Sequence, residues 1–242
     1  MSRSDDLDAD ALRAALVAAG KRLGARGLIS AGEGNLSVRI GDDLLITPSG
    51  RRKDELAGED ILVVPATDGS VATARHGDAP KPSSDVAIHR AVYRARPDVA
   101  AVVHAHLPAA MALTLAGEVP DPTVLPETAL LLPRVPFVPF AAAGSEELAA
   151  AVADALAEPP APLPGVALLE RHGAVAVGAG HDRAAALDEA VNRLELLEVL
   201  CRTWRDALLI RAAVSGSSGR TMLRPPRPRP GSPARGRSRR QP

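Results

Sequence analysis

A chain of 242 residues that is 46% apolar can bury a full core as one domain, but with aromatics at only 2% that core has to be built from Ala, Val and Leu. The formal charge of zero hides an asymmetry: residues 215–242 carry eight arginines and no acid, +8, so residues 1–214 sum to −8. An acidic body argues against a nucleic-acid surface outside that tail, the single cysteine, Cys201, excludes an intrachain disulfide, and no apolar run reaches the ~20 residues a membrane span needs.

In chain order, Met-Ser-Arg-Ser-Asp-Asp leads into an amphipathic segment and not into a secretory signal, so a cytoplasmic location is expected. Asp5 to Leu28 reads as a helix, with Leu12, Leu16, Ala19 and Leu23 at helical spacing and Gly27 after its last turn. Ser30-Ala-Gly-Glu-Gly-Asn35 is too rich in glycine for a helix. The alternation Leu36-Ser-Val-Arg-Ile40, the turn residues Gly41-Asp42-Asp43 and the run Leu44-Leu45-Ile46 predict a hairpin over residues 35–47, ending in Thr47-Pro48-Ser49-Gly50. Ile61 to Val64 reads as a further strand, and Asp68-Gly69 as a turn toward a short strand near Val71.

Lys81-Pro82-Ser83-Ser84-Asp85 introduces a helix over Val86 to Ala95, and two serines there can cap it or leave N–H groups aimed at an anion. His89 lies one turn beyond Asp85 on the same face, a packing or supporting residue before a ligand. A strand is predicted from Val99 to His106. Side chains two apart on a strand share a face, so His104 and His106 point at one spot, either as packed histidines or as a chelating pair for a divalent ion about 2 Å from each nitrogen.

Leu107 to Ala116 reads as helical, Val119 to Arg134 is broken by prolines, and Val135 to Phe140 is a short strand. Ser145 should cap an alanine-rich helix ending at Leu156. Val166–Leu169 and Ala174–Gly178 are strands flanking a turn that holds His172, the third ligand the pair lacks. One long helix is expected from Asp182 to about Val214, with Leu187, Val191, Leu194, Leu197 and Trp204 as its buried stripe. The division that follows is a body over 1–214 and a tail over 215–242. The tail's Arg-Pro pattern cannot form a core, and without an aromatic to stack bases it is expected to be a solvated, disordered extension and not a nucleic-acid arm.

Taken together and in order, Gly34-Asn35-Leu36-Ser37, Thr47-Pro48-Ser49-Gly50, Pro82-Ser83-Ser84-Asp85, Val103-His104-Ala105-His106 and His172-Gly173 resemble the class II aldolase/adducin family, of the L-fuculose-1-phosphate aldolase type. The likeness covers about residues 7–213 and implies an α/β fold of α+β type: a central, mainly antiparallel sheet covered by helices in three layers, assembled as a homotetramer. It implies zinc, with manganese or cobalt as substitutes, on His104, His106 and His172. Asn35, Ser49, Gly50, Ser83 and Ser84 fall where the family holds a substrate phosphate, and Asp85 falls where the aldolases have an acid/base glutamate. Aspartate at that place is similar to the ribulose-phosphate 4-epimerases, where it helps to bind the metal, so the resemblance implies Asp85 as a metal residue beside the three histidines as well as a proton-transfer group.

This sequence departs from both patterns in its tyrosines: the only one is Tyr93, in an early helix, and Glu127 is the acid nearest to the aldolase's proton-donor position. The implied activity is metal-dependent cleavage of a small ketose phosphate, fuculose-1-phosphate-like, to dihydroxyacetone phosphate and an aldehyde through a metal-stabilised enediolate. Epimerisation or dehydration of a ketose phosphate on the same site, and a non-catalytic adducin-like interaction module, are the alternatives. An imine mechanism is not expected, because none of Lys21, Lys53 and Lys81 lies in an apolar strand that would desolvate it.

Overall fold

The alternating run at residues 36–40 and the apolar run before His104 meet in one sheet. In the computed structural model, which describes residues 3–67 and 81–217 (side chains from 8 to 215), β1 (Asn35–Ile40) pairs antiparallel with β2 (Asp43–Ile46) on one side and with β4 (Val99–Ala105) on the other. β3 (Leu62–Pro65) extends the meander beyond β2, while β7 (Gly173–Ala179), β6 (Val166–Leu169) and β5 (Phe137–Val138) follow β4. Among the described residues the sheet has seven strands in the order β3-β2-β1-β4-β7-β6-β5, antiparallel except for β5 beside β6. β4 is buried along its whole length, because helices cover both faces of its neighbourhood.

On one face, α2 (Val86–Ala95) and α5 (Glu146–Ala157) pack Ile88, Val92 and Tyr93, and Leu148, Val152 and Leu156, against Leu44, Ile46, Val102, Val175 and Val177 of the sheet. Ser145 caps α5 by accepting from the Leu148 N–H, as its sequence position predicts. The other face carries α1 (Arg3–Ala25) and α6 (Arg183–Ser217), joined where Arg22 donates to Glu195 at 2.7 Å and 2.9 Å. Arg193 of α6 donates to the Val177 carbonyl, and at Gly178 a Cβ would lie 1.7 Å from the Ala186 carbonyl oxygen, so α6 sits directly on β7. α3 (Pro108–Leu115) follows β4, and α4 (Pro126–Leu131) lies in the proline-broken stretch that the sequence left irregular.

Several boundaries differ from expectation; β5, expected from Val135 to Phe140, is confined to Phe137–Val138. α1 stops at Ala25 and not at Leu28, because Gly27 turns with φ +66° and lets the Leu28 N–H close on the Leu23 carbonyl at 3.0 Å. β4 stops at Ala105, leaving His106 one residue beyond the strand. The long final helix continues to Ser217. The strand expected near Val71 and the tail from residue 218 lie outside the described residues.

Candidate active site

The sheet brings His104 and the 171–173 turn together because β4 and β7 are adjacent, with His104 opposite Val175 and Ala105 opposite Ala174. The turn is tight: Gly173 has φ +92°, and a Cβ there would lie 2.1 Å from the Ala105 carbonyl oxygen, so only glycine lets the loop close against β4. His104, His106 and His172 form an edge-on triangle with ring centroids 4.8–4.9 Å apart. Each offers a ring nitrogen within 4.8 Å of the others.

Tautomers decide what the triangle can hold. His104 Nδ1 lies 3.0 Å from the Ala174 carbonyl, which only accepts, so Nδ1 carries the hydrogen and Nε2 the lone pair. His106 Nδ1 lies 3.2 Å from a Glu33 carboxylate oxygen, which likewise only accepts. The two Nε2 atoms face each other at 3.1 Å. Two lone pairs at that distance repel, and only a proton or a metal ion between them reverses the sign. Two ligands of a tetrahedral zinc lie about 3.3 Å apart at bond lengths of about 2 Å, so the donor set fits a divalent ion. Burial, and then the neighbouring imidazoles, hold His104 well below the usual histidine range, while burial and His106 do the same for His172; both are neutral, the ligand form, at neutral pH.

Asp85 occupies the N-cap position of α2 but does not cap it. Ser83 Oγ takes that role toward the Asp85 N–H, at 3.3 Å, and the carboxylate turns instead to Asn35, whose Nδ2 donates to Asp85 Oδ2 and to Ser83 Oγ, both at 2.9 Å. Asp85 Oδ1 is buried without a hydrogen-bond partner among the described residues. A buried carboxylate oxygen left unpaired is costly, and its charge acts on both His104 and His172, although the three converging ring nitrogens do not include it.

The loops carrying the other expected residues converge on the same edge. Pro48 bridges Pro82, the Ser49 N–H donates to the Lys81 carbonyl at 2.8 Å, and a Cβ on Gly32 would lie 3.0 Å from Gly50. Ser49, Gly50 and Ser84 are exposed, whereas Asn35 and Ser83 are buried beneath them. Glu127 is exposed in the first turn of α4 and makes no hydrogen bond to the cluster.

Lys53 corrects the expectation that no lysine is desolvated. It is 1% exposed, its ammonium donates to the Gly32 and Arg51 carbonyls at 2.7 Å and 2.6 Å, and burial lowers its pKa. Its setting, Arg51-Arg-Lys-Asp-Glu55, reads as solvated; what buries it is α1, whose Gly20 would place a Cβ 2.2 Å from the Lys53 carbonyl oxygen. Both donations go to loop carbonyls, so Lys53 ties two loops together and is not presented as a nucleophile. Two more residues escaped the sequence reading. Glu198 of α6, 2% exposed, accepts from the Ala109 N–H at 3.1 Å and so caps α3 directly after the histidine pair. Glu33 holds His106; its one sequence signal is Ser30 three positions earlier, the spacing at which a carboxylate turns back onto a serine N–H.

The family model for the class II aldolase and adducin N-terminal domain matches residues 14–205, which include every one of these groups. The chain belongs to the class II aldolase and adducin family. The crystal structure of L-fuculose-1-phosphate aldolase from Thermus thermophilus superposes with a TM-score of 0.69 at 35% identity, over 87% of this chain and 98% of that one. A 3-oxo-tetronate 4-phosphate decarboxylase from Cupriavidus necator is 35% identical over 80% of this chain and 83% of its own length. A methylthioribulose-1-phosphate dehydratase from Methylococcus capsulatus is 38% identical over 110 residues, 45% of this chain, and the match spans only about half, 51%, of that relative's length. The class II aldolase fold expected from the sequence is therefore the fold observed, while the names of these relatives divide among three reactions.

Proposed function

We propose that this protein is a metal-dependent lyase that cleaves a carbon–carbon bond in a small, fuculose-1-phosphate-like ketose phosphate, with zinc, or manganese or cobalt in its place, held by His104, His106 and His172. The observation that carries this reading is the pair of Nε2 atoms facing each other at 3.1 Å beside an unpaired carboxylate oxygen of Asp85. The donor set suits zinc, since neutral imidazoles are its ordinary ligands. A bound ion supplies a Lewis acid that stabilises the negative charge developing on the ketone fragment as the bond breaks, worth several kcal/mol.

The chain's own residues do the rest. Asp85 Oδ1 takes the proton from the substrate hydroxyl that becomes the aldehyde carbonyl; the electron pair of the broken bond stays on the ketone fragment, and Asp85 then returns the same proton to that carbon to give dihydroxyacetone phosphate. Asn35 fixes the direction of that carboxylate from Oδ2. Ser49, Gly50 and Ser84, at the exposed rim, hold the phosphate, with Asn35 and Ser83 forming the floor beneath it. Holding the phosphate in one place is what converts an encounter into a reactive geometry.

Dehydration is the second reading, favoured by the dehydratase likeness over 110 residues, and it uses the same base and metal. Epimerisation lacks a catalytic tyrosine: Tyr93 is buried, its hydroxyl is bonded to Ser37, and burial raises its pKa. An adducin-like module without metal does not need three converging imidazoles. We further propose a homotetramer working in the cytoplasm; no helix among the described residues is long and apolar enough to cross a membrane. Incubation with a panel of ketose 1- and 5-phosphates tests the reaction: released aldehyde with dihydroxyacetone phosphate is the expected result, and loss of water without a carbon fragment would make the enzyme a dehydratase.

A further inference from the structure

Of the three imidazoles, His106 has the least support from the sheet. His104 sits inside β4 with its ring bonded to the Ala174 carbonyl of β7, and Gly173 locks the turn behind His172. His106 lies one residue past the end of β4, before Pro108 opens α3, where no ladder bond fixes its backbone. A ligand placed there needs its direction from a side chain.

We propose that Glu33 is that positioning residue, a carboxylate that orients His106 for metal capture, an inference that rests on the metal reading above. Its Oε2 lies 3.2 Å from His106 Nδ1, while its Oε1 accepts from the Ser30 N–H at 2.9 Å and the Ser30 hydroxyl at 2.7 Å. Two hydrogen bonds on Oε1 anchor the side chain, and they leave Oε2 turned toward His106. The backbone beneath it is held as well. Gly34 runs at φ +70°, and a Cβ there would lie 3.0 Å from the His104 carbonyl oxygen; Gly32 lies against Gly50, and Lys53 Nζ holds the Gly32 carbonyl at 2.7 Å. Glu33 is thereby carried on a short loop clamped between the strand that bears His104 and the loop that bears Ser49.

Two effects follow. A carboxylate oxygen facing Nδ1 favours the hydrogen there, which leaves the Nε2 lone pair aimed at the point shared with His104, and it raises the donor strength of the imidazole. The same loop leads directly into Asn35. Glu33 thus sets one metal ligand from the same six-residue segment whose end aligns Asp85.

The test is zinc affinity of the full-length protein, stripped of metal and titrated with Zn²⁺ against a chromophoric chelator. Glu33→Ala should weaken binding about 10- to 100-fold, the usual effect of removing a carboxylate behind a histidine ligand, with unchanged circular dichroism. Glu33→Gln should recover part of the loss, since its amide oxygen still accepts from Nδ1, and the visible spectrum of the Co²⁺ form should shift in Glu33→Ala and return toward that of the unaltered protein in Glu33→Gln. Equal Zn²⁺ affinity and an unshifted Co²⁺ spectrum in all three proteins, with binding abolished in His104→Ala, overturns the role of Glu33 and leaves the metal site standing. No Zn²⁺ bound by the unaltered protein overturns the metal reading and this inference with it.

Discussion

His89 Nε2 and the side-chain oxygen of Asn35 are joined at 2.5 Å, and this bond decides which way the Asn35 amide points. The reverse orientation would set the amide oxygen against the Asp85 carboxylate. With Asn35 Oδ1 as acceptor, His89 carries its hydrogen on Nε2 and accepts at Nδ1 from the Ser37 hydroxyl, 2.6 Å away, which in turn meets the Tyr93 hydroxyl at 2.9 Å. A buried chain therefore runs from α2 and β1 to the Asp85 carboxylate, and it requires a neutral His89.

Burial lowers the His89 pKa from 6.5 to about 4. Above pH 6.5 the ring is neutral in both folded and unfolded chains; as pH falls from there to about 4, only the unfolded chain takes up the proton, so stability is lost across that window, by roughly 3 kcal/mol from this group. Denaturant unfolding of chelator-treated protein at pH 7.5 and pH 5 should show the loss, and His89→Gln should show a smaller pH dependence. An identical pH dependence in the variant would mean that other groups carry it.

Metal analysis of the purified protein should find one divalent ion per chain, and His104→Ala should lose it. His104 is the fully buried member of the triangle. Equal metal in the two proteins would place the ion elsewhere.

Asp85→Asn should reduce turnover on the order of 10²–10⁴-fold while metal content stays unchanged, because the amide keeps the shape but cannot accept a proton. Measured together, the two readouts separate roles: loss of the ion along with turnover would put Asp85 among the ligands.

Glu198→Ala should cost about 1–3 kcal/mol, since it leaves the Ala109 and Ala110 N–H groups and the Arg202 guanidinium, all now bonded to this carboxylate, without it. Urea unfolding measures the loss, and Glu198→Gln, which still offers an acceptor oxygen, should lose less. A loss below about 0.5 kcal/mol in both variants would show that water replaces the cap.

The elements legible from the sequence were those whose signals are local. The hairpin at 35–47 follows from period-two alternation around Gly41, the α5 start from Ser145, and β6 and β7 from apolar runs on either side of the His172 turn. His104 and His106 were legible as a pair for the same reason, although the pair is set by a strand end and not by a strand face: β4 closes at Ala105. The piece at Pro126–Leu131 was not legible, because two prolines within five residues read as interruption when one of them, at the first helical position, in fact starts a helix.

By itself the sequence determined the sheet's main strands, the three imidazoles and the carboxylate beside them, since each is announced by residues a few positions apart. Only the tertiary structure decided how those groups are held. Glu33 and His106 are 73 positions apart, and Glu198 meets Ala109 across 89, so neither link leaves a periodic trace. Lys53 shows the same limit from the other side: a residue among charges looks solvated until Gly20 of α1 admits the loop that buries it. Burial and tautomer are properties of what packs against a group, and that partner is chosen by the fold and not by the neighbouring residues.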